Sequence, residues 1–139
     1  MSDYEEIMGL MASYSDAVNR RDFAALKTCF TPDGFWDLDA GPAAHCVFEG
    51  ADNISAGIGG LVGKYDFLAQ IGSLPVVDVD GDRATARSTL FEVGERAGIR
   101  FENFGYYQDD LRKVNGKWVF AMRRWSMGNS KATPIAEKV

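Results

Sequence analysis

The chain has 139 residues, 46% hydrophobic and 25% charged, with a formal net charge of −5. That is one domain's worth of ordinary globular composition, long enough to bury a core and too apolar for disorder. The acidic balance argues against a nucleic-acid face, no apolar run nears the ~20 residues of a membrane span, and a single histidine excludes a multi-histidine metal site.

The first residues, MSDYEEIMG, lack the basic stretch of a secretory leader, so a cytoplasmic setting is expected. Ile7, Leu10, Met11, Tyr14, Ala17 and Val18 recur at helical spacing and predict an amphipathic helix over residues 3–20. Asp22 can cap a second, shorter helix whose apolar side is Phe23, Leu26, Cys29 and Phe30. TPDG at 31–34 is a turn signature that ends it. GFWDLD and HCVFE read as short strands joined by the loop AGPAA, which makes residues 40–50 a candidate lid. Ile54, Ile58, Leu61 and Val62 predict a helix over 51–62, weakened by the glycines between 57 and 63. Cys29 and Cys46 have neither disulfide nor zinc spacing and are expected to be free thiols.

From Tyr65 onward the pattern changes to strands. KYDFLAQIGSLPVVDVD, RATARSTLFEVGE, GIRFENFGYYQDDLRKV and KWVFAMRRWSM are long and rich in β-branched and aromatic residues. DGD at 80–82, Gly94, Gly98 and NG at 115–116 mark the turns between them. Residues 128–139 read as a frayed tail. Helices followed by a meander make a single α+β domain: a cone of strongly curved antiparallel sheet packed against N-terminal helices, with an apolar pocket at one end.

The period of two sorts each strand by face. Arg123, Trp125 and Met127 share one side of the last strand, and Trp118, Phe120 and Met122 the other. Phe101, Asn103, Gly105, Tyr107 and Asp109 alternate together, as do Ala84, Ala86, Ser88, Leu90 and Glu92.

YSDAVNRRDFAALKTCFTPDGFW, FEGADNI, VDGDRATARS and GYYQDDLRKVNGKWVFAMRRW are similar to the SnoaL-like branch of the nuclear-transport-factor-like superfamily, over residues 5–127. The resemblance implies a cystatin-like α+β barrel. It also picks the inner face, to which Tyr14, Asn19, Trp36, Leu38, Leu68 and Gln70 would be added. The superfamily includes ketosteroid isomerase, scytalone dehydratase, hexachlorocyclohexane dehydrochlorinase, polyketide cyclases and epoxide hydrolases, along with non-catalytic dioxygenase small subunits. Fold does not settle function among these.

Two departures matter. In the dehydratase and the dehydrochlorinase, the base dyad is an aspartate at the position of Asn19 and a histidine at that of Gln70. Here both are amides, which cannot take a proton at neutral pH. The isomerase pattern is half present: Tyr14 and Asn19 match its helix, but its base aspartate falls at Leu38.

Glu92 is the carboxylate singled out among pocket-facing residues, where burial would raise its pKa and suit it to acid–base work. The plainer account is a solvated strand end or an ion pair with Arg123. Arg123 matches an arginine that meets a departing anion in the dehydrochlorinase, and equally suits a structural pair with Glu92 or Asp109. Tyr14 and Tyr107 are candidate donors to a substrate oxygen, or core tyrosines with satisfied hydroxyls. His45 is the only side chain that titrates near neutrality without help, though a lone exposed histidine is usually incidental. Ser88 and Asn103 are polar pegs, Leu90 a wall, and Trp36 and Trp125 aromatic walls or core.

The expected function is a cofactor-independent lyase or isomerase acting on a hydrophobic aromatic or polycyclic molecule, as a homodimer. The alternative is a binding protein or dioxygenase-type partner subunit without turnover. Epoxide opening is third, since it needs an aspartate–arginine–aspartate set that requires Asp109 to turn inward.

Overall fold

The computed structural model describes residues 1–42 and 44–136. Helix α1 spans Asp3–Asn19 and buries the predicted stripe from Ile7 to Val18. Ser2 caps it, accepting from the Glu5 N–H at 3.1 Å, while Asp3, Glu5 and Glu6 set negative charge against its positive end. Arg21, in left-handed backbone at φ 56°, ends this segment. Asp22 then caps α2 (Phe23–Lys27), accepting from the Ala25 N–H at 3.1 Å. Helix α3 (Ala51–Val62) has the predicted span and buries Ile54, Ile58 and Val62. Its glycines serve contact: a Cβ on Gly57 would stand 2.5 Å from the Phe48 ring, which glycine allows to lie on the helix.

The strands are β1 (Phe30–Asp39), β2 (His45–Glu49), β3 (Phe67–Gly72), β4 (Val76–Asp80), β5 (Arg83–Arg96), β6 (Ile99–Val114) and β7 (Lys117–Pro134). They form one open sheet in the order β2-β1-β7-β6-β5-β3, with β4 also paired to β5. The α+β class is as expected. No described helix is long and apolar enough to cross a membrane.

Several local readings are corrected. The sheet is not wholly antiparallel, because β1 runs parallel to β7. TPDG does not stop the chain before a strand; it lies inside β1, where the register shifts between Phe30 and Phe35. The stretch from Lys64 to Asp80 is two strands, interrupted at Ser73–Pro75, and both pair with β5. Gly94 lies within β5, and the turn that follows is Ala97–Gly98, both at positive φ. The expected tail is strand as far as Pro134, which pairs with Ile99. Residues 137–139 of that tail lie outside the described residues.

Two irregularities in β7 decide which residues face inward. The β6–β7 register shifts at Ala121 and again at Gly128. An extra residue in one strand flips every later side chain to the other face. So Trp118 and Phe120, assigned to the opposite side from Arg123 and Trp125, are buried with them. The core gathers α1, α3 and the inner sheet face around Ile7, Leu26, Ile54, Phe120 and Trp118.

Candidate active site

A cavity of about 460 Å³ lies between α1, α3 and the inner sheet face. Hollows of this size hold drug-sized ligands. Its deep end is aromatic: Tyr14 from α1, Trp36 from β1, Tyr107 from β6 and Trp125 from β7. Gly105 makes room for the last of these, because a Cβ there would stand 2.8 Å from the Trp125 ring. Leu38, Leu68, Phe101 and Met127 form the apolar walls, and Gln70, Glu92, Asn103 and Ser130 supply polar groups.

The polar groups are chained. Trp36 Nε1 donates to Tyr14 Oη at 3.1 Å, which leaves the Tyr14 proton to donate elsewhere. Tyr107 Oη donates to Gln70 Oε1 at 3.3 Å, and Ser15 Oγ donates to the same oxygen at 3.4 Å. Ser130 Oγ donates to Asn103 Oδ1 at 2.7 Å, and Asn103 Nδ2 makes a long contact to Glu92 Oε1 at 3.5 Å. Burial pushes the Glu92 carboxyl up, and Asn103 pulls it back. Glu92 makes no ion pair, so its proton affinity is set by its surroundings rather than by a countercharge. Burial also raises Tyr14, against the pull of Arg123, Tyr107 and Trp36, and raises Tyr107 well above its ordinary value.

Arg123 does not enter the cavity. It is 2% exposed and lies behind the floor, its guanidinium 3.4 Å from the Tyr107 ring centroid, 4.2 Å from that of Tyr14 and 4.5 Å from that of Phe120. Its charge partner is Asp109, with Nε to Oδ1 at 3.1 Å, not Glu92. The N–H is not aimed at the carboxylate, so both Asp109 oxygens lack a hydrogen bond. Burial raises Asp109 to about 6 despite the opposing pull of Arg123. The aspartate and arginine of an epoxide-opening set therefore meet, but beneath the tyrosine rings. No second carboxylate joins them among the described ion pairs.

Four further candidates sit elsewhere. Asn19 grips the main chain of Gln70, with Nδ2 donating to its carbonyl at 2.9 Å and Oδ1 accepting from its N–H at 2.8 Å. The two dyad positions thus touch, but the contact is a clamp that pins β3 to α1. His45 is on the outer face, Nε2 to Asp37 Oδ1 at 2.8 Å, and Arg124 Nε donates to Asp37 Oδ2 at 2.9 Å. Alternation along β2 turns Cys46 and Phe48 inward and His45 out, so it cannot shuttle a proton in the cavity. Ser88 and Leu90 keep the predicted face, but neither lines the hollow, and Leu90 is core. Of the candidate lid, Ala40 and Ala44 border the cavity, and residue 43 lies outside the described residues.

Lys64, Tyr65, Arg96 and Ser130 line the cavity without having been foreseen. Arg96 was readable, two alternations beyond Glu92. Ser130 was hidden by the irregularity at Gly128. Among the described residues no three His, Cys, Asp or Glu side chains converge as a metal would require.

Residues 1–124 match the family described as SnoaL-like domain. An uncharacterised Mycobacterium tuberculosis protein (Rv2910c) is 30% identical over 134 residues, covering 84% of this chain and 80% of its own. A function-unknown structure from the same organism (Rv3472) is similar at TM-score 0.77 and 27% identity, covering 88% of this chain and 70% of that one. The hexachlorocyclohexane dehydrochlorinase of Novosphingobium barchaimii shares the fold at TM-score 0.81, with 15% identity and coverage of 95% and 89%. Family match and chain coverage agree: the chain belongs to the SnoaL-like domain family.

Proposed function

We propose that this protein is a cofactor-independent lyase or isomerase that moves a proton on a small aromatic or polycyclic molecule. The observation carrying this reading is that Glu92, a half-buried carboxyl with no countercharge, lines the same hollow as Tyr14, whose proton is free to donate. Glu92 as carboxylate takes a proton from carbon next to a carbonyl. Tyr14 donates to the oxygen on which charge develops, as Trp36 draws on its lone pair and Arg123 adds positive potential behind the ring. For isomerisation, Glu92 returns the same proton to a second carbon. For dehydration, a hydroxyl leaves as water with a proton from the site.

The loss of the dyad does not preclude this chemistry, because a buried carboxylate can itself be the base. Two free thiols suit a reducing cytoplasm, and the apolar outer face of the sheet suits a homodimer.

The test is a screen of enone, hydroxy-aryl and epoxide substrates with the wild type, Glu92→Gln and Tyr14→Phe. Glu92→Gln is expected to lower kcat by ~10²-fold or more, and Tyr14→Phe by ~10-fold to 10³-fold. The wild-type rate should rise with pH through the titration of Glu92. Equal rates for wild type and Glu92→Gln remove Glu92 from the mechanism. The amides at Asn19 and Gln70 favour a second reading, a ligand-binding protein or partner subunit; there, every variant binds and none turns over.

A further inference from the structure

Among the described residues three charged side chains line the cavity: Glu92, and the exposed Lys64 and Arg96. The two cations thus outnumber the one carboxylate at this hollow, in a chain of net charge −5. Neither Lys64 nor Arg96 forms an ion pair with a described carboxylate, although seven other basic side chains do. Glu95, the neighbour of Arg96, belongs to the outer face, where Arg100 holds it at 2.6 Å.

Arg96 is positioned by Tyr65, the residue that follows Lys64. The Arg96 guanidinium lies 5.5 Å from the Tyr65 ring centroid, and Arg21 fixes the same residue by donating to its carbonyl at 2.6 Å. The Tyr65 ring in turn packs over Gly94, where a Cβ would stand 2.9 Å from it. Lys64 lines the same cavity as Ala44 beside β2, and its charge opposes the upward push that burial and Asp37 give the Cys46 thiol.

We propose that the ligand is an amphipathic anion, its ring system in the aromatic hollow and its carboxylate, sulfonate or similar group between Lys64 and Arg96. The inference rests on the cavity being the functional site and adds the substrate class. Arg96 and Glu92 are four residues apart on one face of β5, so their backbone positions are ~13 Å apart at 3.3 Å per residue. With the reach of an arginine, the anionic group sits on the order of 10 Å from the reacting carbon. That is the span of two fused rings bearing a short acidic arm.

Two dyes that differ chiefly in one sulfonate test this: 1-anilinonaphthalene-8-sulfonate and its neutral parent, N-phenyl-1-naphthylamine. Binding is read by dye fluorescence and by quenching of the cavity tryptophans. The Lys64→Gln/Arg96→Gln double variant is expected to weaken the sulfonate dye at least 10-fold and the neutral dye less than 2-fold. Added salt should weaken only the sulfonate dye. Leu38→Trp, which fills the hollow, should abolish both. If the neutral dye binds in the hollow and the double variant binds the sulfonate dye as tightly as wild type, the anion site is overturned and the cavity reading survives. If neither dye binds, or if both bind Leu38→Trp unchanged, the cavity reading falls and the anion site with it.

Discussion

At Asn19, the amide is needed for a reason the family pattern does not suggest. It donates to the Gln70 carbonyl and accepts from the Gln70 N–H at once. A carboxylate could only accept, and would set negative charge against that carbonyl. The aspartate of related enzymes is therefore not a harmless exchange here. Asp109 carries the clearest pH signature. Its carboxyl rises from 3.8 to about 6, so the folded state holds that proton more tightly than the unfolded one. The sign follows: this contribution is complete below pH 3.8 and is lost as pH rises through 6. Its size is about 3 kcal/mol, from 1.36 kcal/mol per pK unit. Urea unfolding of wild type and Asp109→Asn at pH 4, 5, 6 and 7 should show the wild type losing that much more stability across the window. Parallel curves for the two proteins would remove Asp109 as the source.

Among the elements, β3 depends most on a single side chain. It pairs with β5 on one side only, and Asn19 ties its main chain to α1, with a longer bond from Ser15 to the Gln70 side chain. Asn19→Ala is expected to cost about 1–2 kcal/mol, from two hydrogen bonds at the usual net value. Hydrogen exchange should rise in residues 67–72 before it rises in β6. Uniform exchange across the sheet would deny β3 this separate anchorage. The elements were also where the sequence was most readable. Helices α1 and α3 follow from periodicity, and so does the division of β5 and β6 into two faces, since neither strand is interrupted; which face turns inward is given by the family resemblance, not by alternation. What escaped were irregularities of count: the shifts at Ala121 and Gly128, and the break at Ser73–Pro75. Gly128 and the stretch 72–75 do carry the glycine and proline that mark a bulge or a break, whereas nothing local announces the shift at Ala121. The shift at Gly128 hid Ser130 from the site, and the one at Ala121 put Phe120 on the wrong face. Arg123 was placed on the correct face, but alternation gives direction and not depth. Two tyrosine rings stand between it and the hollow.

For the whole molecule, the outer face of the sheet poses the question of partners. Ile71, Phe91 and Phe104 are successive register partners, and the Phe91 and Phe104 rings are 4.9 Å apart. Ile71 is 71% exposed, Phe104 50% and Tyr106 56%. An apolar band of this kind marks an interface, and the homodimer proposed above would cover it. Sedimentation should give a dimer for wild type and a monomer for Phe104→Glu, with the cavity's dye binding retained. A monomeric wild type would reject the arrangement. The parallel pairing of β1 with β7 has a consequence for how the hollow comes to exist. The strand nearest the carboxyl end is also central in the sheet, seated between β1 and β6. Trp36 and Leu38 meet Phe48 and Cys46 of β2 early, but a growing chain must be made past Trp125 before they gain their partners in β7. The hollow is then walled in only once β7 has been made, and contacts this distant in sequence close slowly.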